Sequence, residues 1–130
     1  MPGRNCGRGM GHGRGMHLRM LDPVILLSLH KKPAHGYSLI ESLTAYGLGQ
    51  IDISILYRAL HQMEDMGWVT SKQEEESSQG PPRRVYRITH NGEQILEEIV
   101  SDLELRVADM ERFISEYKTY IQKYHDKERI

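Results

Sequence analysis

The chain has neither the cysteine pairs that form disulfides in small secreted proteins nor the long apolar runs that form membrane-spanning helices. It has one cysteine in 130 residues, Cys6, so no disulfide can close within it. Its longest uninterrupted apolar run, Val24 to Leu27, is far shorter than the roughly 20 residues of a membrane-spanning helix. Residues 1–20 alternate glycine, arginine, histidine and methionine, without the apolar stretch of a secretion signal. We therefore expect a cytoplasmic protein with no membrane contact.

Patterns that carry catalysis or hold a metal are also missing. No glycine-rich segment matches the phosphate-loop or dinucleotide fingerprints, and the carboxylates are scattered over polar helix faces. Soft donor side chains do occur near the start, but their spacing matches no structural zinc pattern. These donors are Cys6, Met10, His12, Met16 and His17. We predict no catalytic residues, no cofactor and no metal site; a metal-responsive N-terminal arm is kept as an alternative.

The net charge of −1 conceals an uneven distribution. Residues 1–20 carry four arginines and no acid, residues 21–90 carry seven bases against eight acids, and residues 91–130 carry six against ten. A contact with nucleic acid must therefore come from the first two segments. Within the first segment, residues 1–19 are predicted to form a flexible arm, because they are rich in glycine and have no apolar periodicity. The arm either lies along a minor groove or contacts nothing.

Two helices are predicted next. Asp22 followed by Pro23 is typical of an N-cap and first helical position, and the apolar residues that follow indicate a buried helix ending at Lys31 to Pro33. Ser38 and Glu41 have capping-box spacing, which predicts the start of a second helix. Gly47 and Gly49 end it.

A third helix, capped by Asp52 or alternatively by Ser54, has one apolar and one polar side. At 100° per residue its apolar side chains fall together: Leu56, Ala59, Leu60 and Met63. The outward side carries Ser54, Arg58, His61 and Asp65, with Tyr57 and Gln62 beside them. Arg58 on this side either reads a guanine through its bidentate fork or is a solvated surface arginine. The sequence thus predicts an exposed polar helix face.

Two β-rich runs, residues 68–72 and 83–89, flank a loop of glycine, proline and serine and predict a hairpin. Lys72 on one arm and the arginines on the other form a positive ridge, which suits phosphate. Alternation along the strand predicts that Arg84 and Arg87 lie on opposite faces.

From about Asn91 onward the pattern is helical with an unbroken heptad seam. The seam residues are Leu96, Val100, Leu103, Val107, Met110, Ile114, Tyr117, Ile121 and Tyr124. The β-branched residues at alternate seam positions favour a two-stranded coiled coil. An apolar stripe on a helix about 50 Å long, at 1.5 Å per residue, needs a partner, of which a second copy is the simplest.

Three helices, a hairpin and a long final helix describe a mainly α protein with a small β-hairpin wing. This is a winged helix-turn-helix at residues 20–90 followed by a long C-terminal dimerisation helix at residues 91–130. A closer likeness lies in the strings at residues 35–39, at 56–60 leading to 63–67, and at 80–89 followed by Gly92. Together they resemble the PadR family of transcriptional regulators, in its smaller-bodied branch, from Met20 to the end.

The resemblance implies a homodimer that binds a palindromic operator in double-stranded DNA and represses transcription. It implies that the third helix enters the major groove while the wing flanks it. The DNA-facing residues that it implies are Tyr37, Ser38, Tyr57, Arg58, Arg83 and Arg84; Ser54, His61 and Lys72 join them from the patterns above.

The resemblance also permits a small aromatic effector between the dimer's helices. The aromatic side chains there either line such a pocket or pack in the interface. They are Phe113, Tyr117, Tyr120 and Tyr124. A protein-interaction module that uses the long helix without binding DNA is the remaining alternative, which the three acids Glu74 to Glu76 in the wing favour.

Overall fold

The computed structural model describes residues 15–74 and 83–128, with the side chains of residues 20–74 and 83–125. The elements are α1 (Gly15–Lys31), β1 (Ala34–His35), α2 (Gly36–Ala45), α3 (Ile53–Asp65), β2 (Val69–Glu74), β3 (Arg83–Ile88) and α4 (His90–Glu128). The chain forms two compact units that divide between Leu96 and Glu97. A mainly helical protein with a small hairpin is therefore confirmed. Most of the arm, residues 1–14, and the wing tip with Glu75 and Glu76 lie outside the described residues.

Helix α1 supplies the centre of the core but begins earlier than the sequence predicts. It starts at Gly15, and Asp22 and Pro23 lie inside it, so their prediction as N-cap and first helical residue is wrong. Apolar side chains are buried on both sides of the proline: Leu21 is 4% exposed before it and Ile25 is 0% exposed after it. Packing of both segments favours one continuous helix, which outweighs the hydrogen bond that Pro23 cannot donate.

Helix α2 begins at Gly36 rather than at a capping box. His35 is its N-cap, in extended conformation and without a side-chain cap hydrogen bond, and Ser38 lies in the first turn. The predicted capping box of Ser38 and Glu41 is therefore wrong. The physical reason is tertiary, because His35 is held extended by its pairing with Val85 in the sheet. At the other end Gly47 has φ of +78°, which confirms its predicted place after the helix.

Helix α3 begins as predicted. Asp52 is its N-cap, and the Asp52 carboxylate accepts a hydrogen bond from the backbone N–H of Ser54 at 3.4 Å. The predicted apolar side is buried, with Leu56 and Leu60 at 0% and Met63 at 1% exposure. This helix is therefore anchored along one whole side.

The predicted hairpin is the core of a three-stranded antiparallel sheet with the order β1-β3-β2. Strand β2 pairs with β3 from Val69 opposite Ile88 to Glu74 opposite Arg83. The two-residue strand β1 was not predicted, and it pairs along the other side of β3. The sheet therefore ties the segment before α2 to the wing.

Helix α4 starts at a tight junction with the sheet. Thr89 alone separates β3 from α4. Its hydroxyl donates to the Gly67 carbonyl at 2.6 Å and accepts from the backbone N–H of Gly92 at 3.0 Å. A Cβ built on Gly92 would lie 2.8 Å from Ile88 Cγ1 and still closer to the Trp68 carbonyl oxygen. Only glycine fits where the first turn of α4 meets the backbone of Trp68.

Beyond this junction α4 is one unbroken helix to Glu128, as the heptad pattern predicts. Within its described part Arg106 forms an ion pair with Asp102, and Arg112 forms one with Asp109. Among the described helices none is long and apolar enough to cross a membrane.

The first prediction concerns Asp22, because burial raises the pKa of its carboxyl from 3.8 to about 6. A raised pKa in the folded state stabilises the protein below about pH 4, and this stability is lost as the pH rises through 6. At pH 7.5 the carboxylate is charged and poorly solvated. We expect Asp22→Asn to raise the free energy of unfolding at pH 7.5 by about 1–2 kcal/mol and to leave it nearly unchanged at pH 4. Urea unfolding at equal protein concentration measures both, and a gain of the same size at both pH values would contradict this account.

The second prediction concerns the junction at Gly92. Replacing a helical glycine by alanine is ordinarily favourable by about 1 kcal/mol. Here the added methyl group collides with the Trp68 carbonyl, so we expect Gly92→Ala to lower the free energy of unfolding by about 1–3 kcal/mol. The matched control is Gln94→Ala, at an exposed position in the same turn, with an expected change below about 0.5 kcal/mol. Chemical denaturation compares the two; a stabilised Gly92→Ala variant would be the contrary outcome.

Candidate nucleic-acid interface

Helix α3 presents a row of polar side chains on its free side. Ser54, Arg58 and His61 are exposed, as are Gln62 and Asp65. Their direction follows from the opposite side of the helix, where Leu56, Ala59, Leu60 and Met63 are buried. We call α3 the recognition helix. Its free face combines a guanidinium, an imidazole, a hydroxyl and an amide, a set that can donate to and accept from the edges of bases.

The start of α2 touches the recognition helix through one aromatic ring. A Cβ built on Gly36 would lie 2.6 Å from Cζ of Tyr57, so the ring lies directly against the backbone of Gly36. Tyr57 is consequently only 39% exposed, whereas Tyr37 next to Gly36 is 72% exposed. Ser38 is exposed as well. The structure thus brings Tyr37 and Ser38 close to the recognition helix and gives Tyr57 a packing role that sequence reasoning missed.

The wing places its cations on two different faces. Because side chains alternate along a strand, the register puts Lys72, Arg83 and Arg87 on one face of the sheet and Arg84 on the other. The prediction that Arg84 and Arg87 lie on opposite faces agrees with this register. All four side chains are exposed. The positive ridge therefore consists of three cations, and Arg84 is separate from it.

Arg84 forms a hydrogen bond on the face of the sheet opposite to Lys72, Arg83 and Arg87. Its Nη1 donates to Ser71 Oγ at 2.9 Å, and Ser71 Oγ donates to Glu64 Oε2 at 2.8 Å. Glu64 lies in the last turn of the recognition helix. No pattern in the sequence predicted this connection, because its members come from three elements whose alignment depends on the register of the sheet.

Tyr86 lies next to this connection, and the charged groups of the connection affect the pKa of its phenol. The side chain is 6% exposed and sits opposite Ser71 in the sheet. Burial raises the pKa of the Tyr86 phenol, the charge of Glu64 and the neighbouring Tyr57 raise that pKa further, and Arg84 lowers it. The phenol therefore lies within electrostatic reach of the recognition helix and of the wing.

One of the three wing acids is described, and it is partnered. Glu74 Oε1 lies 3.1 Å from His35 Nε2, so the carboxylate is tied across the sheet to the N-cap of α2. Beside this pair a cavity of about 480 Å³ opens between the end of α1, α2 and the sheet. Its lining mixes charges of both signs with hydroxyl groups, including Lys32, Glu41 and Ser38.

The second unit, described by itself, carries the heptad seam on an exposed helix. Val100, Val107, Met110, Ile114, Tyr117 and Tyr124 are about half exposed, and Leu103 and Ile121 are less so. Leu96, the first seam residue, differs because it is 7% exposed in the core of the first unit. The rings of Tyr120 and Tyr124 stack with centroids 6.1 Å apart, and Phe113 is 68% exposed. The stripe therefore widens with aromatic side chains towards the end of α4.

Comparisons with known proteins agree with this arrangement. A family model described as "Transcriptional regulator PadR-like family" matches residues 25–98. The solved structure of TM0937, a conserved protein of unknown function described as a potential transcriptional factor, is 34% identical with a TM-score of 0.71, over 85% of this chain and 98% of that one. A search of curated proteins gives no match.

Two further solved structures carry the family's name. A PadR family transcription regulator from Clostridium difficile is 26% identical with a TM-score of 0.65, over 72% of this chain and 97% of its own. A PadR family transcriptional regulator from Eggerthella lenta is 27% identical with a TM-score of 0.66, over 78% and 88%.

Proposed function

The chain belongs to the PadR-like family of transcriptional regulators, and we propose that it is a dimeric repressor that recognises a specific DNA sequence. The observation that carries this proposal is the free face of the recognition helix. Ser54, Arg58 and His61 stand exposed in a row on an anchored helix, next to the exposed Tyr37 and Ser38. A helix with such a face fits the major groove, which is wide enough to admit it.

Within this proposal Arg58 reads a base and the wing contacts the backbone. A guanidinium offers a bidentate fork that matches the O6 and N7 atoms of guanine. Lys72 and Arg83 share one face of the wing and offer charge to phosphates. Tyr37, Ser38, Ser54, Tyr57 and His61 complete the proposed contacts, and Arg84 is treated below.

The dimer in this proposal forms along α4. Coiled-coil partners bury side chains that recur every three and four residues, and here such side chains are about half exposed over six turns. A second copy would cover them and bring two recognition helices to one duplex. We propose a palindromic operator with half-sites about one helical turn, 34–36 Å, apart.

Regulation and location follow the same proposal. In this proposal a small aromatic ligand binds among the aromatic side chains of two copies, which are Phe113, Tyr117, Tyr120 and Tyr124. Its binding changes the angle between the two long helices and therefore the distance between the two recognition helices. We propose that the protein acts where the DNA is, in the cytoplasm. The metal-responsive alternative concerns Cys6, Met10, His12, Met16 and His17, whose side chains lie outside the described residues.

DNA recognition is tested by binding to the duplex upstream of the chain's own coding sequence, against a scrambled duplex of equal length. We expect Arg58→Ala to weaken binding to the first duplex about 5- to 150-fold, because a good bidentate pair is worth about 1–3 kcal/mol. Arg112→Ala removes an exposed arginine from α4 and serves as the control, with no expected change. Wild-type protein that binds both duplexes alike would refute the proposal of sequence-specific binding.

Dimerisation is tested by placing a charge in the seam. Val107→Glu should convert the dimer to a monomer at micromolar concentration, because a carboxylate at the centre of the stripe would have to be buried without a partner. Ala108→Glu adds the same charge one residue further, outside the seam, and should remain dimeric. Sedimentation equilibrium measures the mass of each. A monomeric wild type, or a dimeric Val107→Glu variant, would show that the seam does not join two copies.

A further inference from the structure

A short chain of hydrogen bonds joins the recognition helix to both long strands of the wing. Ser71 Oγ on β2 donates to Glu64 Oε2 at 2.8 Å and accepts from Arg84 Nη1 on β3 at 2.9 Å. A serine hydroxyl has one proton to donate and two lone pairs to accept with, so it fills both roles at once. We call Glu64, Ser71 and Arg84 the relay.

The relay sits where the chain turns from helix to wing. Glu64 is two residues before Met66, the C-cap of α3, and Ser71 is in the first half of β2. The bond between Glu64 and Ser71 is partly buried, so water and salt weaken it less than they weaken a bond on an open surface. Both bonds involve a charged group, and such hydrogen bonds are the stronger ones.

The side chains around the relay belong to every element of the proposed interface. Tyr86 is buried opposite Ser71 in the sheet. Burial raises the pKa of its phenol, Glu64 and Tyr57 raise that pKa further, and Arg84 lowers it. Tyr57 in turn packs on Gly36, at the start of α2. The relay therefore lies near side chains that belong to the recognition helix and to the wing, and one of these, Tyr57, contacts α2.

The hydrogen bonding and the face of Arg84 distinguish it from the other cations of the wing. Its guanidinium is linked through one hydroxyl to the carboxylate of Glu64, so a phosphate contact would compete with a hydrogen bond inside the protein. The register of the sheet places Arg84 on the face opposite to Lys72 and Arg83. Ser71 shares the face of Arg84, so this face is the one that contacts the recognition helix through Glu64, while Lys72 and Arg83 lie on the other.

We propose that Arg84 is a positioning residue, which acts with Ser71 and Glu64 to hold the wing at a set angle to the recognition helix. Lys72 and Arg83 then supply the phosphate contacts of the wing. This inference rests on the proposed function, because the angle matters for binding only if the helix and the wing meet the same duplex.

The salt dependence of DNA binding separates positioning from phosphate contact. Binding to a random-sequence duplex is measured between about 50 and 200 mM salt for the wild type and four variants, Arg83→Ala, Arg84→Ala, Ser71→Ala and Ser71→Thr. The slope of log K against log salt is negative, and loss of one phosphate contact makes it less steep by about 0.9, which we expect for Arg83→Ala. Arg84→Ala should keep the wild-type slope and bind about fivefold more weakly at every salt concentration.

The serine variants test the relay without changing any charge. Ser71→Ala should show the same loss as Arg84→Ala, and Ser71→Thr, which keeps the hydroxyl, should bind like the wild type. Combining Ser71→Ala with Arg84→Ala should cost no more than either change alone, because both break the same connection. A less steep salt dependence for Arg84→Ala, together with unchanged binding by Ser71→Ala, would overturn the inference.

Amide hydrogen exchange of the free protein distinguishes failure of the inference from failure of the proposed function. Ser71→Ala and Arg84→Ala should speed exchange across β2 and β3 about fivefold, while Arg83→Ala and Ser71→Thr should not. Unchanged exchange in Ser71→Ala and Arg84→Ala would refute the positioning role, whether or not DNA is bound. Faster exchange in both, with no DNA binding by the wild type, would support the positioning role and refute the proposed function alone.

Discussion

Burial of one side of the recognition helix is the constraint on which the rest of the interface depends. Leu56, Leu60 and Met63 are at most 1% exposed, and each contributes about 1.5–3 kcal/mol by being removed from water. A rotation of the helix by one residue, 100°, would expose them at a cost comparable to the whole stability of a small domain. The outward direction of Ser54, Arg58 and His61 is therefore set by the buried side chains on the opposite side of the helix, which themselves lie away from the binding surface.

Contacts between elements then set the spacing of the groups around that helix. Tyr57 lies on Gly36 so closely that no side chain fits between them, which fixes the distance from α2 to the recognition helix. On the other side the hydroxyl of Ser71 spans the gap between Glu64 and the hairpin. The strand β1 closes the arrangement, because it holds the start of α2 against the same β3 that carries the wing arginines. Binding surfaces need such spacing to be preformed if they are to act on a rigid partner.

Sequence reasoning found the elements whose signal is periodic and missed those that depend on contacts distant in the chain. The 100° spacing of Leu56 to Met63 and the heptads of α4 repeat over several turns, so helix type, facing and length could be predicted. Strand β1 has two residues, too few for any pattern, and exists only because β3 pairs with it. The start of α2 followed that pairing rather than the hydroxyl of Ser38. The burial of Leu96 and the link from Glu64 to Arg84 likewise depend on contacts between distant parts of the chain, which no local signal specifies.

The outer position of β2 in the sheet has a consequence for how the protein behaves at high concentration. In the described sheet β2 is an edge strand, with one row of backbone groups turned away from β3. Such edges recruit strands from other molecules and start aggregation. Here the exposed Lys72 and Glu74 lie along that edge, and an incoming strand would have to desolvate both charges. The same side chains that make the hairpin polar thus keep it from joining hairpins of other molecules into larger sheets.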